Sequence, residues 1–456
     1  MIPLTLAAVA DAVGGDLVDG AAAERTVASV VIDSRTVFDG ALFVALRGER
    51  VDGHRFVPDA LRRGAAGALV AAGTGGAACV EVDDPADALL GLGAWVRDHV
   101  DPLVVGVTGS SGKTTTKDLI RAAVSRSRRV VANIGSYNNE LGVPLTCCEL
   151  QHDTELLVAE VGARGAGHIA AMAAVLRPDV AVVTNVGSAH LEMFADTAGV
   201  ARAKAELVEA LDPSGIAVLN ADDELVRAMA DGTGATVVLY GTGPGADVQA
   251  TDIRLDSRAR PSFTVDGVRV KLQLPGAHNV SNALAAIAVA RACDIDVEEA
   301  ADGVASAQVS RWRMEFTESS GGVGVLNDAY NANPSSVAVA LRTLTDMATS
   351  GRRWAVLGHM AELGVGSEQA HRDIGRLCAE LALDGLVVVG EEALPLHRGA
   401  RDAAFAGTLI FAATPDDAVV EVGRQLRRGD LVLVKASRSE GLERVATALA
   451  TGEDAA

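Results

Sequence analysis

Residues 106–118 read GVTGSSGKTTTKD, entered through the apolar run LVVGV (103–107) and followed by LIRAAVSRSRR (119–129). A strand, a small-residue loop and a helix in that order make a phosphate cradle. Backbone N–H groups of the loop point at the anion, and the helix N-terminus favours its charge. Gly109, Ser110, Ser111 and Gly112 supply the loop. Lys113 reaches the outer phosphates, and Thr114 and Thr115 open the helix, with the Thr114 hydroxyl positioned to ligate Mg²⁺. The spacing departs from the common nucleotide loop in one place. G-x4-G-K-T would put its first glycine at 107, where the chain has Val107, with Gly106 one residue earlier. A GTPase or an ordinary ATPase is therefore not the template.

Outward from this loop, strands and helices alternate. ELLVAE (155–160) and DVAVVTNV (179–186) read as strands, and SFTVDGVRVKLQL (262–274) as a hairpin about Asp266-Gly267. HNVSNALAAIAVARA (278–292) reads as a helix. The alternation predicts an α/β fold with a mostly parallel sheet. Asp101-Pro102 marks an entry into this unit, and a second α/β series starts at residue 313 with strands at 322–330, 353–360, 385–390, 408–413 and 430–437. The expected division is 1–100, 101–312 and 313–456. Glu160 closes its strand, where a metal-holding carboxylate belongs. His190, in NVGSAHLE, follows the strand 179–186 at the sheet edge where α/β folds bind ligands. A lone histidine there is as readily structural as functional.

The 456 residues carry a net charge of −20 and are 49% hydrophobic, which excludes a disordered chain and argues against a general nucleic-acid or anionic-membrane binder. The five cysteines, Cys79, Cys147, Cys148, Cys293 and Cys378, form no C-x-x-C, so neither a disulfide framework nor a zinc site is expected. MIPLTLAAVADAVGGDL lacks a basic leader and reads as a first helix; a cytoplasmic protein without membrane insertion is the expectation. Only five of the 40 basic residues are lysine: Lys113, Lys117, Lys204, Lys271 and Lys435. A chain that otherwise uses arginine keeps lysine where a primary amine is required. Lys204, in ARAKAEL, reads either as a helix-surface partner of Glu206 and Glu209 or as an amine that arginine could not replace. NDAYNANPSS (327–336) places Asn, Asp and Tyr at a strand end, a composition suited to hydrogen-bond recognition and equally to a turn.

These residues resemble the Mur ligase superfamily over nearly the whole chain. VTGSSGKTTTKD, GSYNNELGVPLT, EVGARGAGHI, TNVGSAHLE, PGAHNVSNALAA, LNDAYNANPSS and VLGHMAELG are similar to its motifs in family order, and DSRTVFDGALFVALRGERVDGH (33–54) is similar to the segment that holds a UDP-sugar. The resemblance implies three α/β domains: an N-terminal UDP-substrate domain, a central ATP-binding domain and a Rossmann-like C-terminal domain that takes the incoming amine. It implies an ATP-dependent amide ligase acting through an acyl phosphate, with UDP-N-acetylmuramoyl tripeptide and D-Ala-D-Ala as substrates and a monomeric chain. The sister ligase that adds the third amino acid, a folylpolyglutamate synthase and a non-catalytic ATP-binding regulator are the alternatives. The folylpolyglutamate enzyme lacks the N-terminal segment. Asn333-Pro334, followed by Ser335, does not match the third-residue ligase's D-N-P-R selector.

By the resemblance, Lys113 neutralises the β/γ-phosphates, and Thr114 and Glu160 hold one Mg²⁺. His190 and a carbamylated Lys204 support a second, a role closed to arginine because guanidinium forms no such carbamate. Asn279 and Asn282 face adenine, while Arg311 (preferred over Arg313), Asp328 and Asn331 reach the nucleotide from the C-terminal domain. Ser34 and Arg35 meet the UDP-sugar, and Asn138 and Asn139 the substrate. His359 stands where the family's VLG[D/E]M motif carries an acid.

Overall fold

The computed structural model describes residues 1–48, 51–187, 194 and 196–452. Its centre is a seven-stranded, all-parallel sheet. The strands are β1 (Leu103–Thr108), β2 (Val130–Ala132), β3 (Leu156–Glu160), β4 (Val180–Val183), β5 (Ile216–Asn220), β6 (Thr236–Gly241) and β7 (Val248–Gln249), in the order β7-β6-β5-β4-β1-β3-β2. Val105 pairs with Val158 on one side and Val180 on the other, so their side chains share a face. A parallel sheet covered on both faces needs apolar residues at successive positions, which is why these strands are near-continuous valine and leucine runs.

Three helices set the site. They are α1 (Lys113–Val124), α2 (Thr197–Glu209) and α3 (Asn279–Ala292). α3 is buried almost all round, the mark of a helix inside a core rather than on it. Together with Leu119, Ile120 and Val124 of α1 it covers the face carrying Val105, Val158 and Val180. The opposite face, with Val104, Leu157 and Leu219, belongs to a core that continues through Leu89, Leu92 and Val96 to Leu6, Leu42 and Leu69 of the N-terminal region. There a five-stranded sheet spans residues 16–82. The hairpin forms as expected, with Asp266 and Gly267 both at positive φ (47° and 82°), as a type I′ turn requires.

The C-terminal sheet has six strands, β8 (Glu315–Glu318), β9 (Gly324–Asn327), β10 (Arg353–Leu357), β11 (Gly385–Val389), β12 (Thr408–Ala412) and β13 (Leu431–Lys435), ordered β8-β9-β13-β10-β11-β12. Only β8 runs antiparallel to its neighbour. α4 (Pro334–Asp346) follows β9. No helix among the described residues is long and apolar enough to cross a membrane.

The loops after β1, β3 and β4 face those after β9, β10 and β13. Ligands of parallel α/β sheets bind beyond the carboxyl ends of strands, and here two such edges oppose each other across one cleft.

Candidate active site

The cleft is a cavity of about 1060 Å³, walled by the central sheet's loops on one side and by residues 328–340, 361–362 and 435–439 on the other. Among the described residues, six of its lining side chains are Lys or Arg (Lys113, Arg164, Lys204, Arg313, Lys435 and Arg438) against four acids (Glu140, Glu160, Asp328 and Glu362). In a chain of net charge −20 this local reversal suits an anionic ligand.

The phosphate loop is held from below by Asn185. Ser110 N donates to the Asn185 carbonyl (2.9 Å), Ser111 N to Asn185 Oδ1 (3.0 Å), and Asn185 Nδ2 returns a bond to Ser111 O (3.0 Å). The loop passes so close to β4 that a Cβ on Gly109 would lie 1.8 Å from Thr184 Oγ1. At Gly112 (φ 78°) a Cβ would lie 2.6 Å from Asn282 Oδ1. α1 then begins with no side-chain cap, leaving its first-turn N–H groups to a ligand. Gly109 to Thr115 all line the cavity.

Lys113 Nζ folds back to Gly109 O (2.9 Å), and burial lowers its pKa despite the nearby Glu160. Thr114 Oγ1 donates to Glu160 Oε2 (2.7 Å), while Asn138 Nδ2 donates to Glu160 Oε1 (2.6 Å). The Glu160 backbone is pinned by Asn133 Oδ1 (2.8 Å). A buried carboxylate beside a hydroxyl at the mouth of a phosphate loop is a hard-oxygen donor set that fits Mg²⁺.

Lys204 enters from α2 and is 5% exposed. Among the described residues it makes no hydrogen bond or ion pair. Glu206 instead caps another helix through Gly167 N (2.7 Å) and Ala170 N (3.0 Å), which disposes of the surface-pair reading. Burial, with Lys113 adding to it, holds the Lys204 pKa well below the usual lysine range. His190 lies outside the described residues.

Asn279 and Asn282 are buried at the head of α3, and both line the cavity. Their amides are linked to each other (2.9 Å), to Pro275 O (2.8 Å) and to Thr116 Oγ1 (3.2 Å). Beside them His278 Nδ1 is buried without a partner among the described residues, and burial pushes its pKa down to about 4. Asn139 lines the cavity but spends Oδ1 on Gly142 N (3.0 Å). Asn331 and Asp328 line the opposite wall.

The two arginines of SRWRMEF separate. Arg311 is exposed and opens on a smaller neighbouring cavity of about 320 Å³. Arg313 is the one in the large cleft: its Nη2 donates to Thr114 Oγ1 (3.1 Å) and its guanidinium lies 4.2 Å from the Tyr330 ring centroid. Arg311, expected at the nucleotide, does not line the large cleft, whereas Arg313 does, and the backbone between them turns through positive φ at Trp312 (60°). The lobes also touch where Tyr330 Oη meets Ser136 Oγ, and where Asn333 Nδ2 donates to Ser110 O (3.4 Å). Asn333 also caps α4 with a capping box, and Pro334 takes its first turn, so Asn-Pro here is a helix start.

Ser34 and Arg35 are not brought to this cleft. They form a surface 3₁₀ turn after Asp33, with Arg35 paired to Asp33 (2.6 Å) and largely exposed. His359 also lies off the cavity wall, between Glu392 (3.1 Å) and Glu440 (3.9 Å), its ring stacked on His371. Asn185 and His278, which line the cleft, were missed as site residues, and Arg313 was weighed but ranked behind Arg311. Only the Asn in TNVGSAH and the His in PGAHN, both inside quoted motifs, offered a signal for the first two.

A cation-lined cleft between a phosphate-loop sheet and a Rossmann-like sheet is the site of a nucleotide-dependent α/β enzyme. Family models match here for the Mur ligase middle domain (107–290), the Mur ligase glutamate ligase domain (312–438) and the Mur ligase family catalytic domain (26–87). The chain belongs to the Mur ligase family. It is 41% identical to the UDP-N-acetylmuramoyl-tripeptide--D-alanyl-D-alanine ligase of Mycobacterium tuberculosis, over 98% of each chain. Among solved structures, MurF from Acinetobacter baumannii superposes with a TM-score of 0.87 at 31% identity, over 98% of both chains. MurF of Thermotoga maritima in complex with ADP gives 0.78 at 30% identity, over 92% of this chain and 96% of that one.

Proposed function

We propose that this chain is an ATP-dependent, ADP-forming ligase that joins D-alanyl-D-alanine to UDP-N-acetylmuramoyl tripeptide, a step of peptidoglycan precursor synthesis. The observation that carries it is the phosphate loop with Thr114 and Glu160 in contact, sharing one cavity with a buried Lys204 that has no partner among the described residues, in a chain similar end to end to ligases of that name.

A carboxylate is a poor electrophile, so the tripeptide's terminal carboxylate oxygen first attacks the γ-phosphorus of ATP, and ADP leaves. The dipeptide's amine then attacks the acyl carbon of the resulting acyl phosphate. The tetrahedral adduct loses inorganic phosphate, and the amine's proton passes to solvent or a base. Lys113 and Arg313 face the phosphates in this reading and offset the charge that develops on transfer. Thr114 and Glu160 would hold Mg²⁺, which would supply neutralisation of phosphate oxygens; Asn138 fixes the Glu160 carboxylate by donating to Oε1. Asn279, Asn282 and Asn331 frame the base and ribose.

Lys204 has a separate role. Burial favours the neutral amine, the form that adds CO₂: its lone pair attacks carbon, a proton is lost, and a carbamate with two carboxylate-like oxygens results. With His190 it would hold a second Mg²⁺. Residues 1–100 take the UDP-sugar through Ser34 and Arg35, 101–312 the ATP, and 313–456 the dipeptide, in a cytoplasmic monomer.

The test is phosphate release from ATP and Mg²⁺ with UDP-muramoyl tripeptide, with and without D-Ala-D-Ala. Release that needs both, with a pentapeptide product, is the expected result. Release with a UDP-muramoyl dipeptide and a free amino acid instead would assign the chain to the third-residue ligase. No release in either case would overturn the proposal.

A further inference from the structure

Lys435 ends β13 at 3% exposure, and the reaction above gives it no part. Its Nζ donates to Asp328 Oδ2 (2.6 Å), to Asn331 O (2.8 Å) and, longer, to Asp328 O (3.4 Å). The other Asp328 oxygen, Oδ1, accepts from Met314 N (3.1 Å). Both oxygens of this carboxylate are thus engaged inside the protein, one by a buried ammonium and one by the backbone of the segment that joins the two lobes.

That segment is strained. Trp312 and Met314 sit at φ 60° and 53°, a region that non-glycine residues rarely adopt, and they flank Arg313 on both sides. Two such residues in three persist only where surrounding bonds hold them. What the strained backbone accomplishes is to send Arg313 across the cleft to Thr114, with its Nε buried and unpartnered among the described residues. A buried ion pair is also weak evidence for stability, since apolar side chains of the same volume commonly serve as well.

We propose that Lys435 is a positioning residue that acts through Asp328: it locks the carboxylate that holds the Met314 amide, and so fixes the linker conformation that delivers Arg313 to the phosphates. The site takes lysine because a compact ammonium with three donors meets three acceptors there, which a planar guanidinium would not match. The proposal rests on the reading that Arg313 faces the transferred phosphoryl group.

The experiment is a double-mutant cycle on the full-length enzyme. Lys435→Met in the wild-type background lowers kcat roughly tenfold with the KM for ATP changed less than about threefold; in the Arg313→Ala background it lowers kcat by less than about twofold. Equal losses in both backgrounds would overturn the proposal, because a merely structural lysine does not depend on Arg313. Hydrogen exchange of residues 311–316 reads the same linkage without turnover: protection falls in Lys435→Met, and unchanged protection overturns the clamp even if the ligase reading itself fails for want of activity in the wild type. Should Lys435→Met not fold, Asp328→Asn, which places an amide donor against Lys435, enters both measurements with the same expected outcomes.

Discussion

Arg311 and Arg313 are two residues apart and chemically alike, so exchanging each for alanine isolates what position in the cleft contributes. Arg313 donates to Thr114 Oγ1 at 3.1 Å and stacks on Tyr330. Removing one preorganised donor from a site of developing charge costs about 10²–10³ in kcat, about 3–4 kcal/mol of transition-state stabilisation. The lost ring contact and hydrogen bond cost the fold only about 1–2 kcal/mol. Arg311→Ala, at an exposed position outside the large cavity, is expected to keep kcat within about twofold. Steady-state phosphate release with both substrates gives kcat and KM, and thermal unfolding monitors the fold. A larger kcat loss for Arg311→Ala than for Arg313→Ala would refute the reasoning from geometry.

Other outcomes follow from the same structure. Lys204→Arg removes most activity and added bicarbonate does not restore it; near-normal turnover would eliminate the carbamate. His278 titrates at about 4 when folded and near 6.5 when unfolded, so between those values the unfolded chain binds the extra proton. Stability therefore falls as pH drops through that window, by up to about 3 kcal/mol from this group. Urea midpoints at pH 6.5 and 4.5 should differ less in His278→Gln than in the wild type, and equal differences would contradict the assignment. Gly112→Ala pushes a methyl to 2.6 Å from Asn282 Oδ1 at φ 78°, so ADP affinity measured by calorimetry should fall at least tenfold; unchanged affinity would mean that the loop relaxes freely.

The phosphate loop, the parallel sheet around it and Glu160 at the end of β3 were legible from the chain because each is local: the strand, loop and helix are contiguous, and valine runs, glycines and the Lys-Thr pair carry the geometry themselves. The lysine economy was legible for a similar reason. Burying a lysine is costly, so few survive without cause, and Lys117, Lys204 and Lys435 prove to be 2%, 5% and 3% exposed. Asn333-Pro334 was ambiguous because the same dipeptide suits a turn or a helix start, and only the capping box with Ser336 resolves it. What belonged to the tertiary structure alone were the pairings over long separations. Asp328 looked free for a ligand until β13 brought Lys435 against it, 107 positions away, and the linker brought Met314 N. That Arg313 rather than Arg311 lines the cleft goes with a backbone turn in the segment that those same contacts hold. Sequence spacing determines which residues share a strand or a helix face; which of two neighbouring side chains enters a cleft is decided by the elements that close it.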